Sequence, residues 1–277
     1  MTASRLHCLL RGAACVLTLV AGRSVPAADD SVVIRGGRIV DGTGNPAYFA
    51  DVMVRHGRTT AIGKLAGAAP TVIDATGLTV APGFIDVHTH ADDIAQLPLA
   101  ENFVRMGVTT IVTGNCGSSA LDVAEFFRRV EATNVSVNVA TVVGHNSVRT
   151  AAMNGRLPRT PTPIELAKMR GLVEKAMQDG ALGLSTGLIY QPGTFASTEE
   201  IIELAKVAGA YDGLYASHLR SETTGIYQAL DEVFRIAREA GVRAEISHLK
   251  LATKPAWGQA NKVPAASATC SSTGCWW

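Results

Sequence analysis

Six residues of metal-binding type sit at the ends of short apolar runs. His88 and His90 close Phe84-Ile85-Asp86-Val87-His88-Thr89-His90, and Cys116 follows residues 109–113 in Gly114-Asn115-Cys116-Gly117. His145 follows residues 137–143, while Ala216-Ser217-His218 and Ile246-Ser247-His248-Leu249-Lys250 end two later runs. On a strand, residues two apart share a face, so Asp86, His88 and His90 are expected to point one way. An isolated His-x-His suits hydrogen-bonded rim histidines as well as metal ligands. Five histidines and one cysteine at successive strand ends favour ligands, because the carboxyl ends of barrel strands converge on one face. Imidazole with thiolate selects Zn²⁺ over Mg²⁺ or Ca²⁺, which take oxygen ligands. Cys116, His218 and His248 can form one three-ligand site with an open position, and His88 and His90 can hold or assist a second. Zinc so held makes hydroxide available near pH ~7 and polarises a carbonyl, which suits amide hydrolysis. His145 receives no ligand role and is expected to be supporting or structural. Asp86 is placed either to orient an imidazole or to serve as a rim carboxylate.

The elements that must position these residues alternate. Strands are expected at 84–87, 109–113, 137–143, 182–185, 214–217 and 244–247. Between them, Thr162-Pro163-Ile164-Glu165 reads as a capping box opening a helix over 163–179. Ser197-Thr198-Glu199-Glu200 reads as a second capping box, and Leu230, Val233, Phe234 and Ile236 stripe a helix over 228–240 that stops at Gly241. Strands alternating with helices of this length imply an α/β fold with a parallel sheet, open or closed into a barrel. Six βα units are visible in the roughly 195 residues after Pro82, against eight units and ~250 residues for a complete (β/α)₈ barrel. Residues 28–81 carry short strands with glycine punctuation and predict a small antiparallel β domain ahead of the barrel.

Bulk properties narrow the partner. The 277-residue chain is 47% hydrophobic and 18% charged, with a formal net charge of +1 and three Trp. That balance disfavours nucleic acid or an anionic membrane surface and points to a small-molecule substrate. Arg5 and Arg11, the apolar run 13–21 and Val25-Pro26-Ala27 predict a signal peptide over 1–27, hence a periplasmic or secreted protein. The apolar run is too short for a stable membrane anchor. Of five cysteines, Cys8 and Cys15 fall in that segment and Cys270 and Cys275 in a terminal stretch, leaving Cys116 alone in the body. Residues 263–277 show neither helical nor strand period and form an aberrant tail. A frame change or truncation accounts for both the tail and the missing strands, a disordered tail being the other reading.

Pro82-Gly83-Phe84-Ile85-Asp86-Val87-His88-Thr89-His90 resembles the first-strand motif of the metal-dependent amidohydrolase superfamily. Gly114-Asn115-Cys116-Gly117, Gly180-Ala181-Leu182-Gly183-Leu184-Ser185-Thr186-Gly187, Ala216-Ser217-His218-Leu219-Arg220 and Ile246-Ser247-His248-Leu249-Lys250 narrow the similarity to the N-acyl-D-amino-acid deacylase (D-aminoacylase) family, over residues 31 to 262. The resemblance implies a TIM-like amidohydrolase barrel, here partial over 82–262, with a small β-sandwich module before it. It implies that Cys116, His218 and His248 hold the tightly bound Zn²⁺ and that His88 and His90 form a weaker second position. It assigns Tyr190 and Lys250 to the substrate carboxylate.

The resemblance also implies a general-base Asp at the end of an eighth strand and a carboxylate-binding arginine, and no position of this sequence matches either. Hydrolysis of N-acyl-D-amino acids to a carboxylate and a D-amino acid is therefore expected of the family, with the activity of this chain in doubt. A cyclic-amide amidohydrolase of dihydroorotase or hydantoinase type is the alternative enzyme. Such relatives usually offer a bridging lysine carbamate or glutamate where this chain has Cys116. A non-catalytic zinc-binding remnant is the alternative of another class.

Overall fold

The computed structural model describes residues 30–258 apart from 68 and 156. The segment expected to be a signal peptide and the terminal stretch 263–277 lie outside the described residues. The chain divides into two compact units at Pro82/Gly83.

The first unit is one mixed sheet of β1 (Val32–Ile39), β2 (Tyr48–Arg55), β3 (Arg58–Gly63), β4 (Thr71–Asp74) and β5 (Thr79–Val80). Its order is β3-β2-β1-β4, with β5 also beside β1. His56 and Gly57, both at positive φ, make the two-residue turn that forces β2 and β3 antiparallel. β4 and β5 run parallel to β1, which corrects the expected antiparallel module. No tight turn joins β3 to β4, so strand direction there is set by the free edge of β1. Among the described residues of this unit there is one sheet, in place of the two of the expected β-sandwich, with a core of Ile39, Ala50 and Val52.

The second unit alternates strand and helix. In chain order it comprises β6 (Phe84–Asp86), α1 (Glu101–Val104), β7 (Val108–Thr113), α2 (Val123–Thr133), β8 (Asn138–Thr141), β9 (Val143–Gly144), α3 (His145–Met153) and α4 (Pro163–Gln178). β10 (Gly183–Gly187), α5 (Thr198–Ala210), β11 (Leu214–His218), α6 (Ile226–Ala240) and β12 (Arg243–Ile246) complete it. All strand pairs are parallel, in the orders β6-β7-β8 and β9-β10-β11-β12. The single strand expected over 137–143 is thus two strands. At the break, Val142 N still donates to Thr113 O on the β7 side, while Leu182 N donates to Thr141 O on the β10 side. The chain changes partner there, and the seven strands divide into two sheets. A cavity of about 620 Å³ is lined by Val87 and His88 beyond β6 and by Leu214, Ala244 and Ile246 of the β11–β12 pair.

Local sequence explains the helices. Thr162 and Glu165 form the full reciprocal capping box of α4, with Pro163 in the first turn. α6 buries Ile226, Ala229, Leu230, Val233, Phe234, Ile236 and Ala237 on one face and ends at Gly241 with φ 64°, the left-handed cap that glycine adopts without strain. α5 departs from expectation. Ser197 Oγ accepts from Glu200 N, but the Glu200 carboxylate does not return to cap the backbone. It turns inward to His145 Nε2 at 2.9 Å and to Arg149, all three side chains being buried. A buried arginine needs such a partner, since leaving it alone costs about 3–5 kcal/mol.

Candidate metal centre

Four chain segments deliver donors to one place. β6 stops at Asp86 because its Oδ1 accepts from the backbone N of His88 at 3.2 Å, a local bond that bends the chain. Asp86 therefore holds backbone and does not orient an imidazole. Thr89, buried between the two histidines, ties the segment to β7 through both its N and its Oγ1 on Val112 O. Beyond β7, Cys116 sits at φ 55° and is buried. His218 is the last residue of β11, and His248 lies two residues past β12 at φ 38°. Left-handed backbone at non-glycine residues costs on the order of 1–3 kcal/mol and persists only where surroundings enforce it.

At Cys116 the surroundings are identifiable. Ser185 of β10 donates to Gly114 O at 2.5 Å and accepts from Gly117 N at 3.1 Å, clamping the loop on both sides of the cysteine. The first residues of α3 donate from Asn146 N and Ser147 N to Gly117 O. Gly187 packs so closely that an added Cβ would stand 2.2 Å from Cys116 O. Gly187→Ala is therefore expected to displace the loop and weaken zinc binding by roughly 10–100-fold, the range typical when ligand support is disturbed. Competition with a chromophoric chelator checks this; wild-type affinity in the variant would contradict it.

Cys116 Sγ stands 3.6 Å from His88 Nε2, 3.6 Å from His218 Nδ1 and 3.7 Å from His248 Nε2. A tetrahedral zinc with Zn–S of about 2.3 Å and Zn–N of about 2.0–2.1 Å separates sulfur from nitrogen by about 3.6 Å. The donor set fits zinc in type and in spacing. Two ligand groups emerge, His88-His90-Cys116 and Cys116-His218-His248, each with donor atoms within 4.8 Å of one another. Cys116 belongs to both. The rings pack edge to face, with His88 4.9 Å and His218 4.4 Å from His248 between centroids. His145 does not join them: it is the first residue of α3, buried against Glu200. Its Gly144-His145 context looked like a strand end, and the helix start beneath it re-aimed the ring.

Electrostatics favour a neutral, metal-ready cluster. Burial, then the nearby His248 and His90, hold the His88 imidazole down to about 4. Burial likewise lowers His218, against the opposing pull of Glu222. Burial, followed by the Glu222 charge, pushes the Cys116 thiol up to about 11. For His88 the unfolded chain takes up a proton near 6.5 and the folded chain only near 4. The unfolded state thus binds more protons in between, and metal-free stability falls as pH drops from 6.5 to 4. Denaturant titrations of wild type and His88→Asn at pH 7 and pH 4.5 check this. The acid loss is expected to be smaller in the variant, and equal losses would contradict it.

Beside the cluster, a cavity of about 300 Å³ is lined by His90, Asn115, Cys116, Asn146, Tyr190 and His248, among others. Tyr190 packs edge-on to His218 at 4.7 Å. Lys250 does not line this cavity; its ammonium lies 2.5 Å from Glu222 Oε1 and 3.0 Å from His248 Nδ1. Glu222 was missed by sequence reasoning. Its one sequence signal is an acid four residues after a strand-end histidine, in a stretch without period.

Residues 71–271 match the amidohydrolase family profile. The chain is 41% identical to D-aminoacylase of Alcaligenes xylosoxydans xylosoxydans over 84% of its own length and 53% of that relative's. This chain belongs to the D-aminoacylase family of the amidohydrolase superfamily. A solved D-aminoacylase described for its binuclear metal centre superposes with a TM-score of 0.85 at 36% identity, covering 88% of this chain and 56% of that one. N-acyl-D-glutamate deacylase from Bordetella bronchiseptica, complexed with zinc and a phosphonate mimic of the tetrahedral intermediate, gives 0.81 at 38% identity over 87% of this chain and 55% of that one. The chain spans about half the length of these D-aminoacylase-family relatives. No helix among the described residues is long and apolar enough to cross a membrane.

Proposed function

We propose that this chain carries the metal centre of a zinc-dependent hydrolase that splits N-acyl-D-amino acids into a carboxylate and a D-amino acid. The observation that carries the reading is Cys116, whose thiol stands at zinc-ligand spacing from His218, His248 and His88. A thiolate at this position separates it from cyclic-amide relatives, which usually present a lysine carbamate or a glutamate. Cys116, His218 and His248 would hold the tighter ion, with His88 and His90 supplying a weaker position. Bound zinc would polarise the scissile carbonyl and lower the pKa of a water to about 7. The Tyr190 phenol, at the wall of the cavity, would donate a hydrogen bond to the substrate carboxylate, with the Lys250 ammonium adding charge. An exported location fits the basic and apolar composition of residues 1–27.

The test pairs metal analysis with hydrolysis of N-acetyl-D-methionine, hydantoin and dihydroorotate. Zinc uptake with cleavage of the N-acyl-D-amino acid alone supports the reading. Cleavage of either cyclic amide, with N-acetyl-D-methionine left intact, would overturn the reading.

A further inference from the structure

Glu222, buried in the loop after β11, reaches both late histidines and the lysine beyond them. Its Oε1 lies 3.0 Å from His248 Nδ1, 3.5 Å from His218 Nε2 and 2.5 Å from Lys250 Nζ. Both histidine approaches are ion-pair distances without a hydrogen bond, and His218 Nε2 is buried with no hydrogen-bond partner. In each ring, the nitrogen facing Glu222 is opposite the nitrogen facing Cys116. A ring nitrogen that binds metal must offer a lone pair, so the ring proton must sit on its other nitrogen. An ionised carboxylate accepts such a proton and offers none in return.

Lys250 makes the opposite demand. Its ammonium, 3.0 Å from His248 Nδ1, has only donors to offer. A hydrogen bond there would place the ring proton on Nε2, facing Cys116, and so block metal. The two contacts at Nδ1 exclude each other as hydrogen bonds.

We infer that Glu222 is a positioning residue, fixing the tautomers of His248 and His218 so that their free nitrogens face the metal while it competes with His248 for the Lys250 ammonium. The inference rests on the zinc reading above. It makes one carboxylate oxygen the joint between metal occupancy and the placement of the lysine ammonium. Surroundings of this kind typically change metal affinity by about 10–100-fold when removed.

The experiment measures zinc affinity by chelator competition, and cobalt-substituted absorption spectra, for the full chain and for Glu222→Gln, Glu222→Ala and Lys250→Met. Both Glu222 variants are expected to lose roughly 10–100-fold in zinc affinity and to shift the cobalt ligand-field bands, with metal-free melting temperatures close to wild type. Lys250→Met is expected to keep wild-type affinity. Glu222→Gln preserves shape and decides the matter where the alanine variant does not fold. Wild-type affinity with superimposable cobalt spectra in the Glu222 variants would overturn the inference. So would an affinity loss matched by lost metal-free stability with the cobalt bands unmoved. A wild-type chain that takes up no zinc would instead overturn the zinc reading itself.

Discussion

Cys116→Ala is expected to abolish tight zinc binding, a larger loss than the about 10–100-fold that follows from disturbing a ligand's surroundings. Cys116 is the donor shared by both ligand groups, so its removal takes the thiolate from each at once. The remaining histidines lie within imidazole contact of one another but lack an anionic donor. The fold has less at stake. Cys116 contributes a small buried side chain, and alanine adopts the same φ of 55° with comparable strain. Zinc should therefore no longer raise the melting temperature, whereas in wild type an excess of 100-fold over Kd stabilises by about 2.7 kcal/mol. Thermal denaturation with and without zinc checks this. A zinc-dependent shift in Cys116→Ala equal to wild type would contradict it.

Zinc affinity is also expected to climb steeply with pH. A thiol ligand must surrender its proton to the solvent on loading, and the Cys116 thiol sits at about 11 in the metal-free chain. Below that value the free thiol is protonated, so each unit of acidification weakens binding tenfold through Cys116 alone. Between pH 8 and pH 6 this amounts to about 100-fold. His88, held down to about 4, carries no proton across that window and adds nothing to the slope. Chelator competition at several pH values measures it, and His88→Asn should leave the slope as it is. Affinity independent of pH between 6 and 8 would contradict the assignment of a thiolate ligand.

The candidate metal ligands were legible because each follows an apolar run that ends abruptly, and parallel strands bring such ends together. His145 also follows a strand, but it opens α3 and its ring points to Glu200, in line with the supporting or structural role expected of it. Local pattern assigned Glu200 to a capping box, although the buried charge of Arg149 claims that carboxylate. Local propensity cannot anticipate a partner fifty residues away. The parallel placement of β4 and β5 beside β1 is likewise long-range. The break at Val142 follows from a change of strand partner that no periodicity records. Glu222 was silent because a single acid in a loop carries no pattern. Its meaning appears only when His218, His248 and Lys250 are seen around one oxygen.

The central claim is that a cysteine thiolate and histidine nitrogens of this chain hold zinc. X-ray absorption at the zinc edge of the loaded full chain tests it most directly. The account predicts a sulfur scatterer at about 2.3 Å together with nitrogen at about 2.0–2.1 Å, the sulfur vanishing in Cys116→Ala. A shell of nitrogen and oxygen alone in the wild-type chain would contradict it.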